Sequence, residues 1–274
     1  MSSIAIIARL EFSVATRQRW VRFFALAFAL ISIVVAWSAG AVQELSAPEG
    51  FAATTVALIP IVLLLVPLAA LLLGVSGHAG EPGSGAFLFA QPVSRREVLI
   101  GKWLGQVAAL TAALGVGLFS GGAFLAACVG FAGAERFCLL VAACVVLGAV
   151  FLSIAAALVA AVGKRASALG LAAFIWFLFA LLYDGVALGV AGWAPGRVGA
   201  RILFGSVFGN PSDLVRVLTL SVAGTPHILG AAGEAWSRFL GGAAGAVLFS
   251  AAALTAWVAV PLYAARHALE RRDL

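Results

Sequence analysis

The sequence predicts an all-α, polytopic membrane protein with six transmembrane helices and an N-terminal interfacial helix. Three observations carry that prediction. Hydrophobic residues make up 64% of the 274-residue chain and charged residues only 10%, where a soluble domain carries about a quarter. Mean hydropathy is +1.13. The apolar residues fall into six runs, each about 20 residues or longer, the length needed to cross a bilayer. A soluble enzyme, a secreted disulfide scaffold and a disordered chain are excluded, because none of them could shield so much apolar surface from water.

The spans follow in order as one transmembrane domain over 1–274: about 22–42, 51–74, 103–131, 137–162, 167–187 and 240–263. Glu44, Pro48 and Glu49 make the first break, and Gly133, Glu135 and Arg136 the third. Gly163, Lys164 and Arg165 make a tight fourth turn. Pro60 and Pro67 are expected to kink the second helix, a feature tolerated in membranes. Ala39-Gly40-Ala41 imitates a signal-peptide cleavage site, but the run before it is long enough to span and is read as an uncleaved first helix.

Val186–Phe208 is also long enough to cross, yet its centre reads Ala194-Pro195-Gly196-Arg197 with Arg201 close behind. Two central Arg cost roughly 5–7 kcal/mol on the insertion scale, against about 3–5 gained from the apolar residues. The expectation is a surface or shallow re-entrant hairpin within an outer loop over 188–239.

Charge position sets orientation. Arg9, Arg17, Arg19 and Arg22 precede the first span; Arg95, Arg96 and Lys102 lie in or beside the second loop; Lys164 and Arg165 lie in the fourth; Arg266, Arg271 and Arg272 follow the last. The alternate sides hold only Arg136, Arg197, Arg201, Arg216 and Arg238. The positive-inside rule therefore places both termini in the cytoplasm. The net charge of +6 serves topology, so no nucleic-acid partner is expected.

No catalytic constellation is present. His78, His227 and His267 are far apart, and neither His-x-x-x-His nor Cys-x-x-Cys occurs. Cys128, Cys138 and Cys144 sit in apolar stretches and Met1 is the lone methionine, so a ladder of soft copper ligands is missing. Gly101-Lys102 lacks the earlier glycine of a phosphate loop, and Gly83-Ser84-Gly85 runs on to Leu88 without completing a dinucleotide fingerprint. No cofactor is expected on this chain; ATP and Mg would sit on a partner ATPase. Asp184, beside Tyr183, is either an interfacial solvated carboxylate or a gate or anchor for the outer loop.

Two inner regions and one outer motif stand out. Over Ile4–Arg22, Ile4, Ile7 and Val14 can share one helical face while Arg9, Arg17 and Arg19 reach phosphate headgroups. In the cytoplasmic loop 75–102, Ser94 can cap a short helix with Glu97 completing a capping box, which would display Arg95 and Arg96 to a cytosolic partner. In Asn210-Pro211-Ser212-Asp213-Leu214-Val215-Arg216, Asn-Pro favours a turn, Asp213 can cap the next helix and Arg216 can reach back.

The loop reads Gly80-Glu81, Gly83-Ser84-Gly85, Ala86-Phe87-Leu88-Phe89, Gln91-Pro92-Val93-Ser94-Arg95 and Gly101-Lys102. With the opening Ala8-Arg9-Leu10-Glu11-Phe12 and Arg17-Gln18-Arg19-Trp20, it resembles the ABC-2 type permeases, whose transmembrane domain is of the type V exporter kind. Pro82 stands where a second acidic residue is common, and Ala86 where Thr is common. Trp176-Phe177, Leu182-Tyr183-Asp184 and the Asn210–Arg216 motif are similar to the subgroup that matures nitrous-oxide reductase.

The resemblance implies a bacterial inner-membrane permease that pairs with a second copy of itself and sits on an ABC ATPase dimer. Glu81, Gln91, Pro92, Ser94, Arg95, Arg96 and Glu97 would couple to the ATPase, and Arg9, Glu11, Arg17 and Arg19 would belong to the interfacial helix. Asn210, Pro211, Asp213 and Arg216 would face a periplasmic β-helix protein. A copper chaperone or the reductase itself is a further implied partner. The cargo would be a sulfur species for a copper–sulfur cluster, unless the complex transmits force instead. An exporter of a lipid, drug or polysaccharide, or an ATP-independent membrane scaffold, is the alternative. A secondary transporter is disfavoured, because the spans carry no relay of acidic residues or histidines.

Overall fold

In the computed structural model, residues 2–39, 45–79, 94–194, 196–222 and 243–271 are described. Every regular element among them is helical. α1 (Ser3–Arg17) is followed by α2 (Arg19–Trp37), α3 (Ala47–Ala79), α4 (Arg95–Val129) and α5 (Ala134–Val162). α6 (Arg165–Phe177) passes through a π-helical turn (Leu178–Leu182) into α7 (Tyr183–Trp193), making one span-length unit. α8 (Arg197–Gly209), α9 (Pro211–Val222) and α10 (Ala243–Glu270) complete the order. Among the described residues, six helices have the length and hydropathy to cross a membrane: α2, α3, α4, α5, the unit Arg165–Trp193, and α10 from Val247.

α5 and α3 form the centre, with Leu147, Val150, Phe151 and Leu152 of α5 and Leu58, Val62, Val66 and Leu71 of α3 all buried. They are apolar on every face, as a helix inside a membrane bundle must be. α2, α6–α7 and α10 form the outer layer and keep Leu30, Val34, Phe174, Leu181 and Val260 exposed, as lipid-facing surfaces do. Pro60 and Pro67 lie inside the continuous helix α3. Near the second of them, Trp176 of α6 donates its indole N–H to the Leu64 carbonyl at 2.8 Å. The carbonyl that Pro67 leaves without its helical donor is the neighbouring Leu63, so the Trp176 bond ties α6 to this turn and does not replace the missing one.

The helices gather at two ends. At the first, α1 crosses the start of α4, and a small core of Leu99, Ala156, Ala160 and Ala265 joins α4, α5 and α10. At the opposite end Gly130 and Gly133, both with positive φ, turn α4 into α5. There a Cβ on Gly133 would stand 2.8 Å from Pro48 Cα, so the start of α3 packs on this turn.

The structure changes several expectations. The short capped helix expected between the second and third spans is the first turn of α4 itself, because nothing between Ser94 and Val129 interrupts the helix. The fifth helical unit continues to Trp193, beyond the expected limit at 187. Ile4, Ile7 and Val14 lie along one side of α1 as expected, but Val14 is not packed. It is half exposed, while Ile7 touches α4 at Gly101. Glu81, Gln91 and Pro92 lie outside the described residues.

Candidate functional site

Two polar constructions stand at the two ends. At the α1 end, Ser94 caps α4. Its Oγ accepts from the Glu97 backbone N–H at 3.2 Å, while the Glu97 carboxylate accepts from the Ser94 N–H at 3.0 Å and from its hydroxyl at 2.9 Å. This is the full reciprocal box that the spacing predicts. The neighbouring arginines diverge. Arg95 turns inward and donates to the Leu269 carbonyl at the end of α10, and Arg96 is exposed. The start of α4 is thereby tied to α10 while one cation is left outward.

α1 is locked against α4 through glycine. A Cβ on Gly101 would lie 2.8 Å from Ile7 Cβ, and one on Gly105 would lie 2.5 Å from the Ala8 carbonyl oxygen. Only residues without a side chain permit backbones this close. Glu11 points into this contact and accepts from Gln106 Nε2 at 3.1 Å, and Gln106 is fully buried. Lys102 Nζ donates to the Gly77 carbonyl at 2.8 Å and ties in the end of α3. Arg9, Arg17 and Arg19 are exposed on α1 and the start of α2. Further along α4, Gly117 and Gly121 receive Phe28 and Ser32 of α2, so this glycine stripe is consumed within the chain.

The second construction lies in the outer segment. Arg216 Nη1 is 3.1 Å from Asp184 Oδ2 and 3.0 Å from Asp213 Oδ1, so one guanidinium nitrogen serves two carboxylates. The bond to Asp184 is a well-aligned hydrogen bond, whereas the contact to Asp213 is ionic only. Burial pushes the Asp213 carboxyl up to about 7; Arg216 opposes the rise and Asp184 adds to it. Tyr183 donates its hydroxyl to the Ser206 carbonyl at 2.7 Å, closing α7 onto α8.

The turn between α8 and α9 sits deep. Asn210 is 1% exposed and donates from Nδ2 to the Phe179 carbonyl in the π-helical turn at 3.1 Å. Trp257, in the middle of α10, donates to the Phe208 carbonyl at 3.0 Å. Phe179 packs edge-on against both Phe151 and Trp257. These partners lie within their helices and not at the tips, so the Asn210-Pro211 turn dips into the bundle. The turn that enters the bundle is therefore this one, while the segment expected as a surface or shallow re-entrant hairpin is the pair α7 and α8. The Asn210-Pro211 turn can enter because it satisfies its own backbone: Asn210 Oδ1 accepts from Ser212 N–H at 2.9 Å, and the Asn210 carbonyl accepts from Asp213 and Leu214 N–H. Asn210, not Asp213, thus caps α9, because Pro211 is already its first helical residue.

Sequence reasoning brought out Asp184, Asp213 and Arg216 without pairing Asp184 with the other two. It missed Gln106, Ser206 and Trp257, and it named Lys102 for its charge and motif without its bond to Gly77, because these partners lie well away along the chain. Among the described residues, no three metal-ligating side chains come together. Cys128 and Cys138 are exposed and Cys144 is buried, all three as free thiols.

A six-span bundle with a surface helix before the first span and a re-entrant turn before the last is matched over residues 5–274 by the model for ABC-2 family transporter proteins. The chain belongs to the ABC-2 transporter family. It is 34% identical over 231 residues to the probable ABC transporter permease protein NosY of Pseudomonas aeruginosa, covering 81% of this chain and 82% of that protein. It is 32% identical over 229 residues to the protein of the same description from Stutzerimonas stutzeri, with the same coverage. As an ABC-2 permease of NosY type, this chain is a transporter subunit of a polytopic membrane protein family. The family resemblance drawn from the loop and the outer motif is therefore correct.

Proposed function

We propose that this permease couples ATP hydrolysis on a separate ATPase dimer to export, or to conformational signalling, for maturation of a periplasmic copper enzyme, the nitrous-oxide reductase copper–sulfur cluster. The observation that carries the coupling role is the start of α4. A capped, 35-residue helix is anchored to α10 through Arg95 and leaves Arg96 outward. A rigid helix fixed at its first turn moves as a unit, so a push there tilts the whole span. The names of the two relatives support the NosY-like assignment, and the maturation role follows from it.

On this reading the α1 end is cytoplasmic, in the bacterial inner membrane, with both termini on that side. ATP and Mg belong to the ATPase chains and none is held here. A second copy of this chain completes the permease. Glu81, Gln91 and Pro92 would join Ser94–Glu97 in contacting the ATPase. The Asn210–Arg216 segment, anchored through Asp184, would lie beneath a periplasmic β-helix partner, with a copper chaperone or the reductase beyond it. The cargo would be a sulfur species.

Arg96→Glu tests the coupling role. ATPase co-purification should fall while the permease remains monodisperse, and undiminished co-purification would refute the contact. Deleting the gene tests maturation: a fully assembled copper–sulfur cluster in the reductase, seen by absorption spectroscopy, would refute that role.

A further inference from the structure

We propose that the groove between α2 and α4 is a binding site for one anionic phospholipid of the surrounding bilayer, with an acyl chain in the groove and the phosphate beside Arg22. The groove has a volume of about 360 Å³ and is lined by Val21, Ala25 and Leu26 of α2 and by Ala109, Ala112 and Val116 of α4, with Thr16 and Arg22 at its rim. This is the size of a small ligand pocket. It exists because α4 presents alanines where α2 presents larger side chains. Leu26 is 68% and Val116 64% exposed, so the groove opens sideways from the bundle. A cleft that faces hydrocarbon takes an acyl chain.

Charge decides which lipid. α2 and α4 both run away from the α1 end, so Arg22 marks the groove's headgroup end. Its guanidinium reaches back to the Arg17 carbonyl at 3.2 Å, the snorkelling expected of a cation near the interface. Arg17 and Arg19 are exposed beside it. The carboxylate of α1 is Glu11, which is turned inward to Gln106, and among the described residues no acidic one lines the groove. The outward face of α1 carries exposed Ile6 and Leu10 beside exposed Arg9, which puts this helix at headgroup level. A neutral lipid would leave that positive rim uncompensated, whereas an anionic headgroup complements it.

Native mass spectrometry of the detergent-purified full chain tests this, with phosphatidylglycerol and phosphatidylethanolamine of identical acyl chains. The wild type should retain one phosphatidylglycerol per chain in preference to phosphatidylethanolamine. Arg22→Gln should lower phosphatidylglycerol retention by about fivefold, as for a loss of about 1 kcal/mol per cation, and leave phosphatidylethanolamine unchanged. Ala112→Phe, at an exposed wall position, should displace both lipids. Should that variant not fold, Arg22→Gln decides alone. Equal retention of phosphatidylglycerol by wild type and Arg22→Gln would overturn the proposal. So would Ala112→Cys cross-linking to a second copy in native membranes, since the groove would then hold protein.

Discussion

The two ends of the bundle hold their helices together by different physics. At the α1 end the contact is steric. Gly101 and Gly105 let α1 lie directly on α4, and Glu11, Lys102 and Arg95 bond across helices to close the contact. At the re-entrant end the contact is electrostatic. Asp184, Asp213 and Arg216 fix the outer segment through one shared guanidinium, and Asp213 changes charge close to neutrality. The first arrangement suits a lever, because it transmits force without changing state. The second suits a response, because one proton alters the balance of charge that holds it.

The contrast can be broken from either side. The largest effect is expected at Gly105→Leu, which drives a side chain into the Ala8 carbonyl and Glu11 Cβ. Overpacking of this kind costs about 1–3 kcal/mol or more, and here the obstacle is backbone that cannot turn aside. α1 should undock, seen as faster proteolysis near Arg17 and a lower yield of monodisperse protein. Retention of wild-type stability would show that the steric description of this end is wrong.

Arg216→Ala comes next. It leaves two carboxylates facing each other without a cation. Because Arg216 and Asp184 are each more than a third exposed, the loss should be about 1–2 kcal/mol rather than the larger penalty of a fully buried pair. The thermal midpoint in detergent should fall by a few degrees at pH 8 and by less at pH 5, where Asp213 carries its own proton.

Asp213→Asn sharpens the comparison. A carboxyl whose folded pKa is raised binds its proton more tightly in the folded state, so its contribution favours folding at low pH. That contribution is lost as pH rises from the ordinary carboxylate range near 4 through about 7. The wild-type midpoint should decline across this window and then level off. The Asn variant should lose this component of the slope, and an unchanged slope would remove Asp213 from the response.

The smallest effect belongs to Ser94→Ala. An N-cap hydroxyl contributes about 1 kcal/mol, and this one is exposed. Stability should change by that amount or less at neutral pH, and by less in acid, where Glu97, whose carboxyl the Ser94 bonds hold below its ordinary value, takes up a proton. ATPase co-purification should weaken more than stability does, if the capped turn is what the ATPase grips.

Much of this was legible from residues alone. Long apolar runs must be helices in a bilayer, since no other single segment satisfies its own backbone there, and Ser-x-x-Glu at 94–97 is a local bond that needs no tertiary partner. The hydropathy of the segment around Arg197 and Arg201 correctly refused a seventh span. It did not find the turn that enters the bundle, because the cost of Arg is visible in composition whereas the anchoring of Asn210 depends on Phe179 far back in the chain.

By itself, the sequence determined the helical class, the number of spans and the capping box at Ser94–Glu97. All of these depend on periodicity, length and neighbours within a few residues. Only the tertiary structure decided which glycines receive α1 and which receive α2. It also decided that Arg95 turns inward while Arg96 does not, and that Asp184 and Asp213 share one arginine. Those outcomes rest on which helix surfaces meet, and a contact between residues a hundred positions apart leaves no mark on either residue's neighbours.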